Sequence, residues 1–360
     1  MGLTLTEAIK GIEPLNDEWR LKARDYLNNL AIPQGSLGEL LNLAEQLAAI
    51  KQSLKPSVRQ KTVVTMAGDH GVVAEGVSAF PQEVTPQMVG NFVAGGAAIN
   101  VLAGVAGARV LVVDMGVAAD LSELVREGKI ISRKIAGGTR NMSQGPAMTR
   151  AQAEQALESG INLVGDLVKE GVELLATGDM GIGNTTPSSA ILAVFSGLPV
   201  QEITGRGTGI ADAALENKVR VIEKALAVNK PDADDPVDVL AKVGGFEIGG
   251  IAGIILGAAY YKVPVVVDGF ISSAGALLAK KLAPHALDYM IAAHQSMESG
   301  HRFMLKELGL KPLLNLNLRL GEGTGAALAM NLVEAAAQVI AKMLTFEDAG
   351  VSRDESGVKE

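Results

Sequence analysis

Cysteine is absent from the 360 residues. That removes disulfides, a thiolate nucleophile and cysteine-ligated zinc or iron–sulfur centres, and it fits the cytoplasm. Aromatic residues make up only 3%, and base is in deficit: 32 Lys and Arg stand against 40 Asp and Glu, for a net charge of -8. No nucleic-acid partner is expected, since one would want a basic face and stacking rings. Long apolar runs are also missing. The most apolar stretch, 248–261, falls short of the about 20 residues that a bilayer span needs. Lys262 and Asp268 follow it closely. It reads as a packed helix leading into a buried strand, and no membrane span is expected. The opening Met1-Gly2-Leu3-Thr4-Leu5-Thr6 matches the loose myristoylation pattern, but Thr6-Glu7 reads better as a helix start. No charged-then-apolar signal peptide is read.

Glycine, by contrast, is abundant: 42 residues of 360, or about 12%, against a typical ~7%. The glycines gather at the ends of short apolar runs, where a backbone turns sharply or comes close to a ligand. The length suggests about two domains at roughly 150 residues each.

The first sixty residues carry helical spacing in Leu5-Ile9-Ile12, Trp19-Ala23-Leu27 and Leu40-Leu43-Leu47, broken at Pro14 and at 32–36. From Lys61 the pattern changes to short β-rich runs. Residues 62–66 end in Ala67-Gly68-Asp69-His70-Gly71, and 110–113 end in Asp114-Met115-Gly116. Residues 172–176 end in Thr177-Gly178-Asp179, and 263–267 end in Asp268-Gly269. The runs are continuous rather than alternating, which predicts strands buried on both faces of a parallel sheet. Alanine-rich helical stretches at 95–106, 151–169, 216–228 and 248–260 separate them. The fold class is therefore α/β, a Rossmann-like three-layer arrangement of a parallel sheet flanked by helices. The Asp and Gly at the strand ends place several carboxylates at one sheet edge, the edge where open α/β sheets bind ligands. After residue 290 the pattern is helical again apart from 313–318, so helices from both termini are expected to form a small helical domain. The expected division is 31–295 for the large domain, 1–30 with 296–348 for the small one, and 349–360 as a loose tail.

Four segments can carry chemistry. The run from Thr177 to Thr186, with Gly181, Gly183, Asn184 and Thr185, lies between a strand and a helix and suits an anion cradled by backbone N–H groups. A capped tight turn would look the same, and the run matches neither a Walker loop nor the dinucleotide fingerprint. A second glycine loop, 204–209, contains Gly207 and precedes Lys218, which is either a phosphate contact or an ordinary solvated lysine. His294 and His301 stand seven apart, on one face if helical, but no third ligand is offered, so no metal is expected. Ser296 is the better phosphate contact there. Finally, Arg319-Leu320-Gly321-Glu322-Gly323-Thr324-Gly325 isolates one carboxylate among glycines. Partial burial would raise its pKa and suit a general base; a Glu complementing a helix dipole is the plainer alternative.

Taken together, these segments resemble the nicotinate-nucleotide–dimethylbenzimidazole phosphoribosyltransferase family, which makes the lower-ligand nucleotide of cobalamin. The resemblance begins at Pro33-Gln34-Gly35-Ser36-Leu37-Gly38. It includes Ala67 to Val72, Glu75-Gly76-Val77-Ser78 and Pro81-Gln82-Glu83-Val84-Thr85. It continues through Gly138-Thr139-Arg140-Asn141-Met142, the 178–186 and 205–209 loops and 294–301, and ends at Arg319 to Gly323. It implies a large α/β domain, a small helical domain built from both termini, and a homodimer. It implies Glu322 as the catalytic base, with Asp179 as a second acidic residue where the family commonly has the longer Glu. Phosphate and ribose contacts fall on Gly181, Gly183, Asn184, Thr185, Gly207, Lys218 and Ser296. The acceptor-base pocket falls on Phe80, Pro81, Met88 and Leu320.

The implied chemistry is transfer of the phosphoribosyl group from nicotinate mononucleotide to 5,6-dimethylbenzimidazole with inversion at C1′. The leaving nitrogen is a pyridinium and needs no proton, while the attacking benzimidazole must lose one, so a single base suffices. No pyrophosphate leaves, and no metal or cofactor is called for. A nicotinamide-dinucleotide oxidoreductase would need Gly-x-Gly-x-x-Gly after the first strand, which is missing. A nucleotide-binding or sensor protein without turnover stays open.

Overall fold

The computed structural model describes residues 2–353. Six parallel strands are β1 (Lys61–Gly68), β2 (Ala108–Gly116), β3 (Ile131–Ser132), β4 (Leu174–Met180), β5 (Val265–Val267) and β6 (Met290–Ala292). They form one sheet in the order β3-β2-β1-β4-β5-β6. The chain winds outward from β1 in one direction and then from β4 in the other. Their shared edge is the switch point, where the connecting loops part and leave a crevice. Strands β1 and β4 pair from Lys61↔Leu174 to Ala67↔Met180 and are buried almost throughout, as their continuous apolar runs predict. Strand β2 is buried only over its second half.

The chain divides into two compact units, Met1–Glu13 with Gln60–Met330 and Pro14–Arg59 with Asn331–Glu360. These bounds differ from the expected 31–295 and 1–30 with 296–348. Residues up to Glu13 join the sheet unit because Leu3 and Leu5 donate their backbone N–H groups to Asn162 and Glu158 of the helix Arg150–Lys169. Residues 296–330 join it because Gln295 and Met297 bond to the carbonyls of Leu314 and Leu318, and the chain then returns to the sheet edge at Glu322. The second unit holds the helices Asp17–Asn28 and Glu39–Lys51, joined at their surface by an Arg24–Glu45 ion pair, and a bridge between Leu30 and Thr345. The expected tail from 349 lies largely outside the described residues, and its first residue closes a short capped helix, Phe346–Ala349.

Much of the glycine serves helix packing rather than ligand approach. The helix Phe246–Tyr260 is buried along nearly its whole length and lies against Arg150–Lys169. A Cβ on Gly253 would come 2.1 Å from the Leu157 carbonyl, and one on Gly160 2.2 Å from the Gly250 carbonyl. Only bare α-carbons let the two backbones meet this closely. Two segments, Val84–Val105 and Thr324–Lys342, are long and apolar enough on hydropathy to span a bilayer. The first is not one helix: left-handed Gly95 separates Val84–Ala94 from Ala98–Val105.

Candidate active site

Four carboxylates stand at the carboxyl ends of the strands: Asp69 after β1, Asp114 within β2, Asp179 within β4 and Asp268 after β5. A fifth arrives from far along the chain. The loop Gly321-Glu322-Gly323 settles on the switch point between β1 and β4. The Thr65 hydroxyl donates to the Glu322 carbonyl at 2.9 Å, and the Glu322 N–H donates to the Asp179 carbonyl at 3.2 Å. A Cβ on Gly178 would stand 2.3 Å from that Glu322 carbonyl, so β4 must be bare where the loop rests. Glu322 itself has φ 64, a left-handed conformation that a side-chain-bearing residue rarely adopts. Such backbone is held only where its surroundings over-determine it, and here both flanking glycines are left-handed too.

Asp268 supports this loop from the other side, accepting the N–H groups of Gly323 at 3.3 Å and Ala326 at 2.9 Å. The Glu322 carboxylate accepts the Ile99 N–H at the start of the helix Ala98–Val105. Burial nevertheless raises its pKa above the ordinary value, and the charge of Asp268 adds to the rise. Burial holds Asp179 well above its usual range, as do the charges of Asp268, Glu247 and Glu322, against one bond from Asn184 at 3.0 Å. Glu322 is thus one of a crowd of acids, not the isolated carboxylate that a one-base reaction suggests.

Beneath the Gly181 turn lies a buried ion pair, His70 Nε2 to Glu247 Oε1 at 2.7 Å. Burial disfavours the imidazolium, but the charge and hydrogen bond of Glu247 outweigh it and raise the His70 pKa. A Cβ on Gly181 would come 2.3 Å from the Gly68 carbonyl and 3.2 Å from His70 Nε2, so the turn is bare because the end of β1, with the pair beside it, fills the space below.

On the far side of the crevice, Lys218 is fully buried. Its ammonium donates to the Thr185 hydroxyl at 2.6 Å and to the Gly205 carbonyl at 3.4 Å. Burial pushes its pKa down to about 8 against the attraction of Glu298. Next to it, the Ser296 N–H donates to His301 Nδ1 at 2.8 Å, so the proton of His301 sits on Nε2 and is donated to Ser273 at 3.0 Å. Burial, with His294 nearby, lowers the His301 pKa to about 3, so this ring stays neutral. His294 and His301 do not share a helix face: the first follows β6, and the second opens the helix His301–Leu308. No group of three or more His, Asp or Glu suited to a metal occurs among the described residues.

These walls enclose a cavity of about 700 Å³, within the usual range for small-molecule sites. The family model DBI_PRT, Phosphoribosyltransferase, matches residues 12–351. The chain is 58% identical over 351 residues to the nicotinate-nucleotide–dimethylbenzimidazole phosphoribosyltransferase of Geobacter sulfurreducens, covering 98% of this chain and 99% of that one. To the protein of the same name from Chloroflexus aggregans it is 56% identical over 348 residues, 97% of this chain and 98% of that one. The crystal structure of CobT from Thermus thermophilus superposes with a TM-score of 0.89 at 48% identity, covering 94% of this chain and 100% of that one. The chain belongs to the nicotinate-nucleotide–dimethylbenzimidazole phosphoribosyltransferase family. It is accordingly a phosphoribosyltransferase.

Most residues singled out in the sequence meet in this one cavity. Phe80, Met88, Asp179, Gly181, Gly183, Asn184, Thr185, Gly207, Ser296, Leu320 and Glu322 all line it. Pro81 is exposed and is not among the lining residues, and Lys218 stands behind Thr185 and Gly207 rather than in the wall. A Cβ on Gly207 would stand 2.7 Å from Thr185 Oγ1 and 3.3 Å from Lys218 Nζ, so this glycine exposes the pair to the cavity. Sequence reasoning missed Glu298, which lines the cavity, and the His70–Glu247 pair below it. It noted Asp268 only as a strand end. Glu298 sits neither in a glycine loop nor at a strand end, the two local signals that mark the rest of the site. Glu247, though flanked by Gly244-Gly245 and Gly249-Gly250, lies at the start of a stretch that reads as a packed helix.

Proposed function

We propose that this enzyme transfers the phosphoribosyl group of nicotinate mononucleotide to 5,6-dimethylbenzimidazole, releasing nicotinate and giving α-ribazole 5′-phosphate with inversion at C1′. The observation that carries this reading is Glu322: a buried carboxylate of raised pKa, fixed on strained backbone over the switch point and facing the cavity. A raised pKa suits a carboxylate to act as a general base, and strained backbone marks positions that their surroundings over-determine, as is common at functional sites.

In this scheme Glu322 takes the N–H proton of the benzimidazole while the other ring nitrogen bonds to C1′. The C1′–pyridinium bond breaks, its electron pair leaves with nicotinate, and no general acid is needed. Asp179, whose pKa burial and the acidic neighbours raise, donates a hydrogen bond in its protonated form, or it serves only to orient Asn184. Gly181, Gly183 and Thr185 at the head of the helix Thr185–Ser196, with Gly207, Ser296 and the charge of Lys218, hold the phosphate. Phe80, Met88 and Leu320 form the apolar side for the acceptor ring. Holding both substrates in line supplies most of the acceleration, and base catalysis adds on the order of 10²–10⁴.

The same proposal includes a cytoplasmic homodimer. Val101 and Val105, four apart on the helix Ala98–Val105, are 62% and 71% exposed, which suits a subunit contact.

Nicotinate release from nicotinate mononucleotide, with and without 5,6-dimethylbenzimidazole, tests the reading in wild type and Glu322→Gln. Acceptor-dependent release that falls at least a hundredfold in the variant supports both the activity and the base. Absence of release from wild type would overturn the transferase in favour of a binding protein. Release that survives in Glu322→Gln would move the base to Asp179.

A further inference from the structure

One acid in the cavity wall has no task in that scheme. Glu298 is only 8% exposed, lines the cavity, and has an Oε2 with no hydrogen-bond partner. The backbone around it is built to hold it there. Its N–H donates to Ser296 Oγ at 3.2 Å, and a Cβ on Gly205 would come within 2.0 Å of Oε2. Gly205 is the residue whose carbonyl receives Lys218. A carboxylate has thus been placed beside the group expected to hold a phosphate, where it attracts the Lys218 ammonium but repels the phosphate itself. A buried anionic oxygen is stable only when something donates to it.

We propose that Glu298 accepts the ribose hydroxyls of the donor nucleotide, the 2′-hydroxyl above all. This rests on the donor assigned above. At neutral pH the phosphate and carboxylate of nicotinate mononucleotide are acceptors, and the alkylated pyridine nitrogen carries no hydrogen. The two ribose hydroxyls are the donor's only hydrogen-bond donors, and the single N–H of the acceptor base goes to Glu322. A carboxylate next to the phosphate end of the cavity also stands where a nucleotide carries its ribose. As C1′ becomes electron-poor in the transition state, the adjacent 2′-hydroxyl becomes a stronger donor, and its bond to Glu298 tightens. Glu298 then contributes to turnover as well as to affinity, and it sets a preference for ribo- over deoxyribonucleotides.

The test compares nicotinate mononucleotide with its 2′-deoxy and 3′-deoxy analogues in acceptor-dependent nicotinate release, for wild type, Glu298→Gln and Glu298→Ala. A hydrogen bond to a charged group corresponds to roughly 10- to 100-fold in kcat/KM. Glu298→Ala should lose about that factor with the ribo donor and almost nothing with the 2′-deoxy donor. The ribo/deoxy ratio should collapse toward that of a site blind to the hydroxyl, and Glu298→Gln, which keeps the side-chain size, should fall between. A ribo/deoxy ratio retained in both variants would overturn the proposal, whatever happens to overall activity. So would tighter binding of inorganic phosphate with the ratio unchanged, since Glu298 would then serve only as a counter-charge to Lys218. Calorimetric binding of the ribo and 2′-deoxy donors without acceptor separates the two readings. If wild type binds but releases no nicotinate, the transferase fails while the discrimination against the deoxy donor still decides the role of Glu298.

Discussion

Replacing Lys218 with Met should stabilise the ligand-free protein at neutral pH while abolishing its response to phosphate. The Lys218 ammonium is fully buried, and burial lowers its pKa from 10.5 to about 8. At about 1.36 kcal/mol per unit, the fold disfavours the charged form by about 3 kcal/mol. The folded-state pKa lies below the unfolded one, so between about pH 8 and about pH 10.5 the unfolded chain binds more protons. Stability therefore rises with pH through that window, and the whole penalty is present below it. Met keeps the length of the side chain without the charge, but the bonds to Thr185 and Gly205 are lost at about 1 kcal/mol each. The expected net gain is about 1 kcal/mol at pH 7. Urea unfolding followed by circular dichroism is the assay, because the single tryptophan, Trp19, lies in the other compact unit. The difference between wild type and Lys218→Met should shrink and reverse between pH 8 and pH 10.5. Inorganic phosphate should stabilise wild type only, and less above pH 8. A variant less stable than wild type at pH 7, or a difference flat across that window, would refute the reasoning.

The kcat/KM of the wild type should fall on acidification along a limb centred above 4.5, because burial and Asp268 raise the pKa of Glu322 and the protonated acid cannot accept a proton; a limb at or below 4.5 would argue against this base. Gly178→Ala should reduce turnover by more than about a hundredfold, since its Cβ would displace the Glu322 carbonyl and even small misplacement is costly in a positioned site; steady-state kinetics at unchanged circular dichroism would show it. His70→Ala strands Glu247 in the core and should destabilise by about 3–5 kcal/mol at pH 6. The folded pKa of His70 is raised, so this contribution is complete below the usual 6.5 and is lost as pH rises through the raised value. Urea unfolding at pH 6 and pH 9 checks this, and an equal loss at both would show that the pair is not ionic.

Local order alone determined the sheet and most of the cavity. Four continuous apolar runs ending in Asp and Gly mark buried parallel strands whose carboxyl ends converge, because a parallel sheet sends every such end to the same edge. The loop at 181–185 and the Glu322 segment were legible because glycine beside polar side chains is a local pattern. Strands β3 and β6, at two and three residues, carry no such pattern and exist only through pairing with their neighbours. Tertiary structure alone decided the protonation chemistry. Lys218 looks like any surface lysine in the sequence, and its pKa falls only because Thr185, Gly205 and Gly207 close around it. The pKa of Glu322 rises through burial on its left-handed loop and through the Asp268 carboxylate, which stands 54 residues earlier in the chain. Desolvation and Coulomb terms depend on distance in space, and a single sequence records distance only along the chain.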